Sequence, residues 1–101
     1  MTANILVIDN DEAVVQELRP ALVEEGFQIE HTVTGLNAIR SVLLEQPEVV
    51  ILGLRDVEED WQFCRRLLTF LDAPLLLLLD TDNELDLVQG LELGADDCVR
   101  K

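Results

Sequence analysis

Most of the chemically reactive side chains in this sequence are carboxylates. The chain carries 21 acidic residues against 7 basic ones, which gives a formal net charge of −14. Carboxylates ligate hard cations such as Mg²⁺ when several converge on one site. The same excess of negative charge opposes direct binding to nucleic acid or to an anionic membrane, because both are polyanions. If the protein acts on DNA, we expect another segment to make that contact.

Other reactive groups are few and isolated. His31 is the single histidine and has no Cys or His companion, so we expect a surface histidine and no Ser-His-Asp set. Cys64 and Cys98 lie in apolar surroundings without metal or redox spacing, which predicts buried free thiols, with a disulfide as the remote alternative. The segment "DTDNELD" (Asp80–Asp86) places acids at alternate positions, as a calcium-binding loop does. Leu85 stands where such a loop requires glycine, so we do not expect a calcium site here.

The hydrophobic pattern predicts five strands that alternate with four helices and would position these groups. The predicted strands are Asn4–Asp9, Phe27–Val33, Val49–Leu52, Pro74–Leu79 and Asp96–Arg100. The predicted helices are Asp11–Glu25, Gly35–Gln46, Asp60–Leu71 and Glu84–Leu93, the last preceded by a capping box Thr81-x-x-Glu84. Regular alternation of this kind predicts an α/β fold with a parallel sheet and helices on both faces. Sites in such sheets lie at the carboxyl ends of the strands.

Details within the helices give further predictions. Pro20 should kink or weaken the first helix, because proline removes a backbone donor. The second helix is expected to turn Leu36, Ile39 and Leu43 inward. Trp61, just inside the third helix, is expected to be a packing residue, with a partner contact as the alternative.

No secretory signal or membrane span is visible in the sequence. Met1–Asn4 is short and uncharged, and the longest apolar run, Leu75–Leu79, is far below the roughly 20 residues that a membrane helix needs. We therefore expect a soluble cytoplasmic domain.

Four segments carry a family resemblance: "ILVIDNDE", "PEVVIL", "FCRRLL" and, above all, "GLELGADDCVRK". In this order they resemble the receiver domain of bacterial two-component response regulators, and the last one is especially similar to receivers that precede winged-helix DNA-binding domains. The resemblance covers the whole chain. It implies a flavodoxin-like, doubly wound sheet of five strands in the order 2-1-3-4-5, and a non-enzymatic module of phosphorelay signal transduction.

In that family an aspartate at the end of the third strand accepts a phosphoryl group from a histidine kinase. An acidic pair after the first strand helps to bind Mg²⁺, while a Thr or Ser and a Lys contact the phosphoryl group. By resemblance, Asp9 keeps the first acid and Asn10 replaces the second. Gly53 stands at the phosphoacceptor position, Leu79 at the Thr or Ser, and Lys101 at the retained lysine.

These replacements imply a degenerate receiver. Glycine has no nucleophile, so Gly53 excludes phosphotransfer by the usual route, and Mg²⁺ binding is expected to be weak or absent. Asp56 is a disfavoured substitute acceptor, because it should point from a loop. Asp9 is expected to accept hydrogen bonds or pair with Lys101, with weak cation binding by Asp9 and Asp11 as the alternative.

The resemblance also implies partners. Residues 1–101 would form one receiver domain that lacks the usual fifth helix, which should expose parts of the first, third and fifth strands. We therefore expect self-association, with Asp96 and Asp97 in the surface that such receivers use for pairing. Further expected partners are an attached DNA-binding domain and a histidine kinase or another regulatory protein.

Two other interpretations stay open. The first is a phosphate-independent switch that responds to a ligand, to thiol oxidation at Cys64 or Cys98, or to a partner protein. The second, which we disfavour, is a small enzyme or metal protein built on a receiver fold.

Overall fold

The computed structural model describes residues 3–55 and 57–101, in which five strands alternate with four helices. The strands are β1 (Asn4–Ile8), β2 (Gln28–Thr32), β3 (Val49–Arg55), β4 (Leu75–Asp80) and β5 (Asp97–Arg100). The helices are α1 (Glu12–Glu24), α2 (Leu36–Glu45), α3 (Glu58–Leu68) and α4 (Glu84–Leu93). All strand pairs are parallel, in the order β2-β1-β3-β4-β5. The predicted fold class and strand order are confirmed.

Helices cover both faces of the sheet, which explains why its central strands are apolar at almost every position. On one face, residues of α2, α3 and α4 pack against β1, β3 and β4 and bury Trp61 to 3% exposure. On the other face, α1 packs Val15 against Val7 and Ile51. The prediction that Trp61 is a packing residue is confirmed. In the described part of the chain, no helix combines the length and apolar character that crossing a bilayer requires.

The strand β3 is longer than predicted. Gly53 was expected just after the strand, but it lies within β3 and pairs with Leu78, and the pairing continues to Arg55 opposite Asp80. Leu54 is fully buried in the core. The neighbouring strand β4 supplies the pairing that keeps this segment extended, so a glycine that reads locally as a strand end does not end the strand.

The orientation predicted for α2 is wrong at two of three positions. Leu36 is 76% exposed and Leu43 is 52% exposed. The side chains that the helix buries are Ala38, Ile39 and Val42. These three share one helical face, and that face packs against the sheet while the leucines point outward.

The predicted capping box before α4 is also wrong. The N-cap is Asn83, whose side-chain oxygen accepts a hydrogen bond from the Leu85 N–H at 2.9 Å. The Thr81 hydroxyl instead donates to the Asp86 carboxylate at 2.6 Å and accepts from the Asn83 N–H at 3.0 Å. Because α4 begins at Glu84, the capping position is one that Asn83 fills and Thr81 does not.

Pro20 lies inside α1, which continues to Glu24. The exposure expected for the first and third strands is wrong, because α1 covers them and leaves Val7 and Ile51 only 0% and 5% exposed. The less covered part of that face lies on β4 and β5, where Leu76 is half-buried and Val99 is 40% exposed.

Candidate functional site

A pocket of about 240 Å³ lies where the carboxyl ends of β1, β3, β4 and β5 meet. Its lining residues are Asp9, Asn10, Asp11, Gly53, Arg55, Asp60, Asp80 and Lys101. The structure therefore brings together four of the positions selected from sequence, namely Asp9, Asn10, Gly53 and Lys101. Parallel strands place their carboxyl ends at one edge of the sheet, which is why residues so distant in sequence converge there.

Asp9 is the buried centre of this pocket, at 3% exposure. Its Oδ1 accepts a hydrogen bond from the Asp11 N–H at 2.9 Å. Its Oδ2 lies 3.1 Å from Lys101 Nζ, which makes an ion pair, although the angle is not that of a hydrogen bond. Oδ2 thus has no hydrogen-bond donor among the described residues. The nearby positive charge of Lys101 offsets the negative charge of the carboxylate without a hydrogen bond. The Asp9 side chain is only 4% exposed, so little solvent screens this pair.

Gly53 leaves the space that the Asp9 carboxylate fills. A Cβ built on Gly53 would lie 1.8 Å from Asp9 Oδ2 and 2.5 Å from its Cγ. Ordinary contacts of a Cβ begin near 3.4 Å, so no side chain fits at this position while Asp9 keeps its place. The glycine and the position of the neighbouring carboxylate therefore depend on each other.

Lys101 reaches Asp9 from the far side of the sheet. It follows β5, and its N–H donates to the Leu79 carbonyl of β4 at 3.0 Å. Since β3 lies between β4 and β1, the lysine side chain extends over the strand that carries Gly53 to reach Asp9. The ion pair thereby links the ends of strands that are not neighbours.

A second ion pair closes another side of the pocket and was missed from sequence. Arg55 Nε lies 3.2 Å from Asp60 Oδ2, and the Arg55 backbone N–H donates to the same oxygen at 2.8 Å. The hydrogen bond and the charge of Asp60 raise the pKa of the Arg55 guanidinium, which therefore stays charged. The one available signal was that Arg55 is the sole basic residue of the acid-rich stretch after Gly53.

Residues of β2 and the following loop support the pocket from outside. His31 is half-buried, and its Nε2–H donates to the Asp9 carbonyl at 2.8 Å, a contact that the expectation of a surface histidine did not include. The Asn10 side chain faces Thr34: its Oδ1 accepts from the Thr34 N–H at 3.0 Å. Pairing of β1 with β2 brings His31 next to the end of β1, which periodicity along one strand does not reveal.

Leu79 does not line the pocket, contrary to the position expected for it. It is 2% exposed and packs in the core beneath α2, α3 and α4. Successive side chains of a strand point to opposite faces, and the apolar Leu79 gains more from the core than from a polar pocket. Asp80, the next residue, lines the pocket instead.

Solved receiver domains match this fold over nearly the whole chain. A signal receiver domain of a signal transduction histidine kinase from Syntrophus aciditrophicus is 30% identical with a TM-score of 0.75, and the match covers 99% of this chain and 79% of that one. The chain belongs to the receiver-domain family of two-component systems.

Two further receiver structures share this fold. The BeF3-activated N-terminal receiver domain of RstA from Klebsiella pneumoniae has a TM-score of 0.84 at 23% identity, covering 97% of this chain and 85% of that one. A response regulator from Burkholderia pseudomallei, solved with a phosphorylated aspartic acid, a calcium ion and citrate, has a TM-score of 0.81 at 24% identity. The match covers 98% of this chain, which spans 59% of that protein. No protein-family model matches the chain.

One matching receiver was solved with a calcium ion, but the described pocket residues of this receiver do not fit a divalent cation. The Asp9 carboxylate is already paired with Lys101, and Asn10 contributes an amide that faces Thr34. The Arg55 carbonyl accepts the Val57 N–H at 2.9 Å. Within residues 3–55 and 57–101, no group of three or more His, Cys, Asp or Glu side chains could hold a metal. Asp56, the disfavoured substitute acceptor, lies outside the described residues.

Both thiols of this receiver are free and buried, as predicted. Burial raises the pKa of the Cys64 thiol to about 11. Burial, followed by the charge of Asp97, also raises the pKa of the Cys98 thiol. Because the thiolate is the reactive form, both cysteines are poorly suited to sensing oxidants.

Proposed function

We propose that this receiver domain is a cytoplasmic regulatory module that works without phosphorylation and without enzymatic activity of its own. The observation that carries the proposal is Gly53, which stands where the family has its phosphoacceptor aspartate. Glycine offers no nucleophile, and the Asp9 carboxylate lies where an acceptor side chain would begin, 1.8 Å from the Cβ position. The pocket lies where the family has its phosphorylation site, but it lacks the aspartate that accepts the phosphoryl group.

The surrounding residues support the same conclusion. In the family the lysine after the fifth strand contacts the phosphoryl group, whereas here Lys101 pairs with Asp9 at 3.1 Å. The position of the Thr or Ser is taken by Leu79, which has no hydroxyl and is buried in the core. Asp9 and Asp60 are therefore each paired with a cation of the pocket, and this arrangement would persist without a kinase.

Protein contacts are the proposed output. Receiver domains in general interact with histidine kinases and effector domains. We infer that this one self-associates through α4 and β5, where Leu85 is 72% exposed and Leu91 and Val99 are 48% and 40% exposed. An attached DNA-binding domain would then be held in a dimeric state. The exposed apolar residues of α4 and β5 support a contact role of this kind.

Asp96 and Asp97, the two acids proposed for that surface, differ in how far their carboxylates are already used in hydrogen bonds within the chain. The Asp96 carboxylate accepts a hydrogen bond from the Leu75 N–H at 2.7 Å, so it also serves the fold. Among the described residues, the Asp97 carboxylate bonds only locally, accepting a hydrogen bond from the Cys98 N–H at 2.7 Å. Substitution of Asp97 is therefore the cleaner test of a charged contact between two copies.

Treatment with acetyl phosphate and Mg²⁺ tests the main proposal. We expect the intact mass of the domain to stay unchanged, while a receiver with an intact acceptor aspartate gains one phosphate in a parallel reaction. Beryllofluoride should leave the fluorescence of Trp61 unchanged, since Trp61 is buried next to the pocket residue Asp60 and would report a rearrangement. An increase in intact mass equal to one phosphate would refute the proposal.

A further inference from the structure

The outer face of α2 carries an apolar stripe that the fold does not use. Leu36, Leu43 and Leu44 are 76%, 52% and 74% exposed. Their spacing of i, i+7 and i+8 places them along one side of the helix. The opposite side of α2 already packs against the sheet, so the stripe is additional to the core.

The stripe continues into a groove at the other end of the sheet from the Asp9 pocket. Leu43 lines this groove of about 290 Å³ together with Phe70, Leu71 and Asp72. Phe70 is 45% exposed. Pro47, which precedes β3, forms part of the groove, so the groove lies at the amino ends of the strands. Contiguous exposed apolar surface of this kind marks an interaction site.

Acidic side chains without counter-ions lie near the C-terminal end of α2. Asp72 lines the groove together with Leu43. Glu45, the last residue of α2, is turned toward Glu30 of β2, and hydrogen bonding with Glu30 raises the pKa of Glu45 above its usual range, with smaller contributions from burial and from the charge of Glu30. Among the described residues, Glu30, Glu45 and Asp72 make no ion pair. Like charges in contact disfavour each other unless a cation lies between them.

We propose that the stripe and groove of α2 bind a mainly basic amphipathic helix of a partner protein. The apolar side of that helix would pack along Leu36, Leu43 and Leu44, and its end would enter the groove at Phe70. Lys or Arg residues near that end would meet Asp72. A second copy of this chain is the poorer occupant of the stripe, because an antiparallel pair of α2 helices would bring the two Arg40 side chains together.

Arg40 adds one detail to the sequence expected for the partner helix. Arg40 lies between Leu36 and Leu44 on the same side of α2 and makes no ion pair among residues 3–55 and 57–101. A single acidic residue of the partner helix would therefore lie opposite Arg40. The proposal depends neither on the state of the phosphorylation pocket nor on contacts of α4.

A designed peptide tests this proposal directly. The probe is a fluorescein-labelled helix of about 15 residues, long enough to lie along α2, with leucines on one side, lysines at the borders and one central glutamate. Its Kd is measured by fluorescence anisotropy at about 0.15 M salt, where long-range charge effects are screened. A peptide with the same composition in scrambled order reports non-specific attraction to the acidic chain.

The decisive variant is Leu36→Ser with Leu44→Ser, and the matched control is Leu85→Ser with Leu91→Ser on α4. All four leucines are exposed, so their replacement leaves the core intact. We expect the α2 pair to weaken peptide binding at least about tenfold and the α4 pair to change it less than about twofold. Asp72→Asn is expected to weaken binding as well, with circular dichroism confirming that every variant is folded.

Two results would overturn the proposal. One is equal peptide affinity of the α2 and α4 variants, which would mean that binding is general electrostatic attraction. The other is a chain that fails to bind the probe but changes from dimer to monomer by light scattering when Leu36 and Leu44 are replaced, which would make the stripe a contact between copies.

Discussion

Replacing Gly53 by alanine should destabilise the protein through Asp9. The new Cβ would lie 1.8 Å from Asp9 Oδ2, and real Cβ atoms essentially never approach closer than 3.0 Å. The difference, 3.0 minus 1.8, requires a displacement of at least 1.2 Å between the two atoms. Such a shift pulls Oδ2 away from Lys101 and Oδ1 away from the Asp11 N–H.

The expected loss follows from two effects. Forcing an extra group into a filled site costs about 1–3 kcal/mol. Separating a buried ion pair adds to this, but Lys101 is 20% exposed and can follow the carboxylate in part. We therefore expect Gly53→Ala to lower the free energy of unfolding by about 2 kcal/mol.

A double-mutant cycle isolates the cause. Asp9→Ala removes the carboxylate that the new methyl group meets, so Gly53→Ala in that background should change stability by less than about 0.5 kcal/mol. The assay is urea unfolding followed by the fluorescence of the buried Trp61. If Gly53→Ala is neutral in the natural chain, or is equally destabilising with and without the Asp9 carboxylate, the proposed dependence between the two positions is refuted.

Three other predictions concern the pocket and the core. Gly53→Asp alone should not restore tight Mg²⁺ binding in a calorimetric titration, because Asn10 stays uncharged and Asp9 fills the space; the further change Asn10→Asp is expected to strengthen binding, and equal affinity would contradict this. Because burial raises the pKa of Cys64 to about 11, its reaction with a thiol reagent at pH 8 should be far slower in the folded protein than in urea, and equal rates would argue against burial. Gly90→Ala should destabilise by about 1 kcal/mol despite the better helix propensity of alanine, since its Cβ would lie 2.9 Å from both Cys98 Sγ and Leu77 Cδ1; thermal unfolding measures this, and a raised Tm would contradict it.

Local pattern was sufficient for the order and type of the elements. Buried parallel strands appear as short apolar runs and amphipathic helices as spaced ones, so all nine were identified, and α4 was predicted with its observed bounds, Glu84–Leu93. The end of β3 was missed because its pairing with β4 decides it. The face of α2 was missed because two apolar faces compete on one helix and only the sheet selects between them.

The candidate site was predictable where it depends on residue type at strand ends. Asp9, Asn10, Gly53 and Lys101 could be placed together from the family resemblance and lie together in the pocket. The bonds of Arg55, Asp60 and His31 could not be predicted, because they depend on loop geometry and on which strand lies beside β1.

The sequence by itself determined that position 53 has no reactive side chain. A glycine at position 53 carries no nucleophile whatever surrounds it. The net charge of −14 likewise opposes direct binding to nucleic acid or to an anionic membrane, whatever the fold. Only the tertiary structure decided that Asp9 fills the vacated space, that Lys101 compensates it, and that α2 turns leucines outward. These are distances between segments far apart in the chain, and strand pairing and packing bring those segments together. The type of a residue can be read at one position, whereas a contact depends on the distance between two residues, which the fold determines.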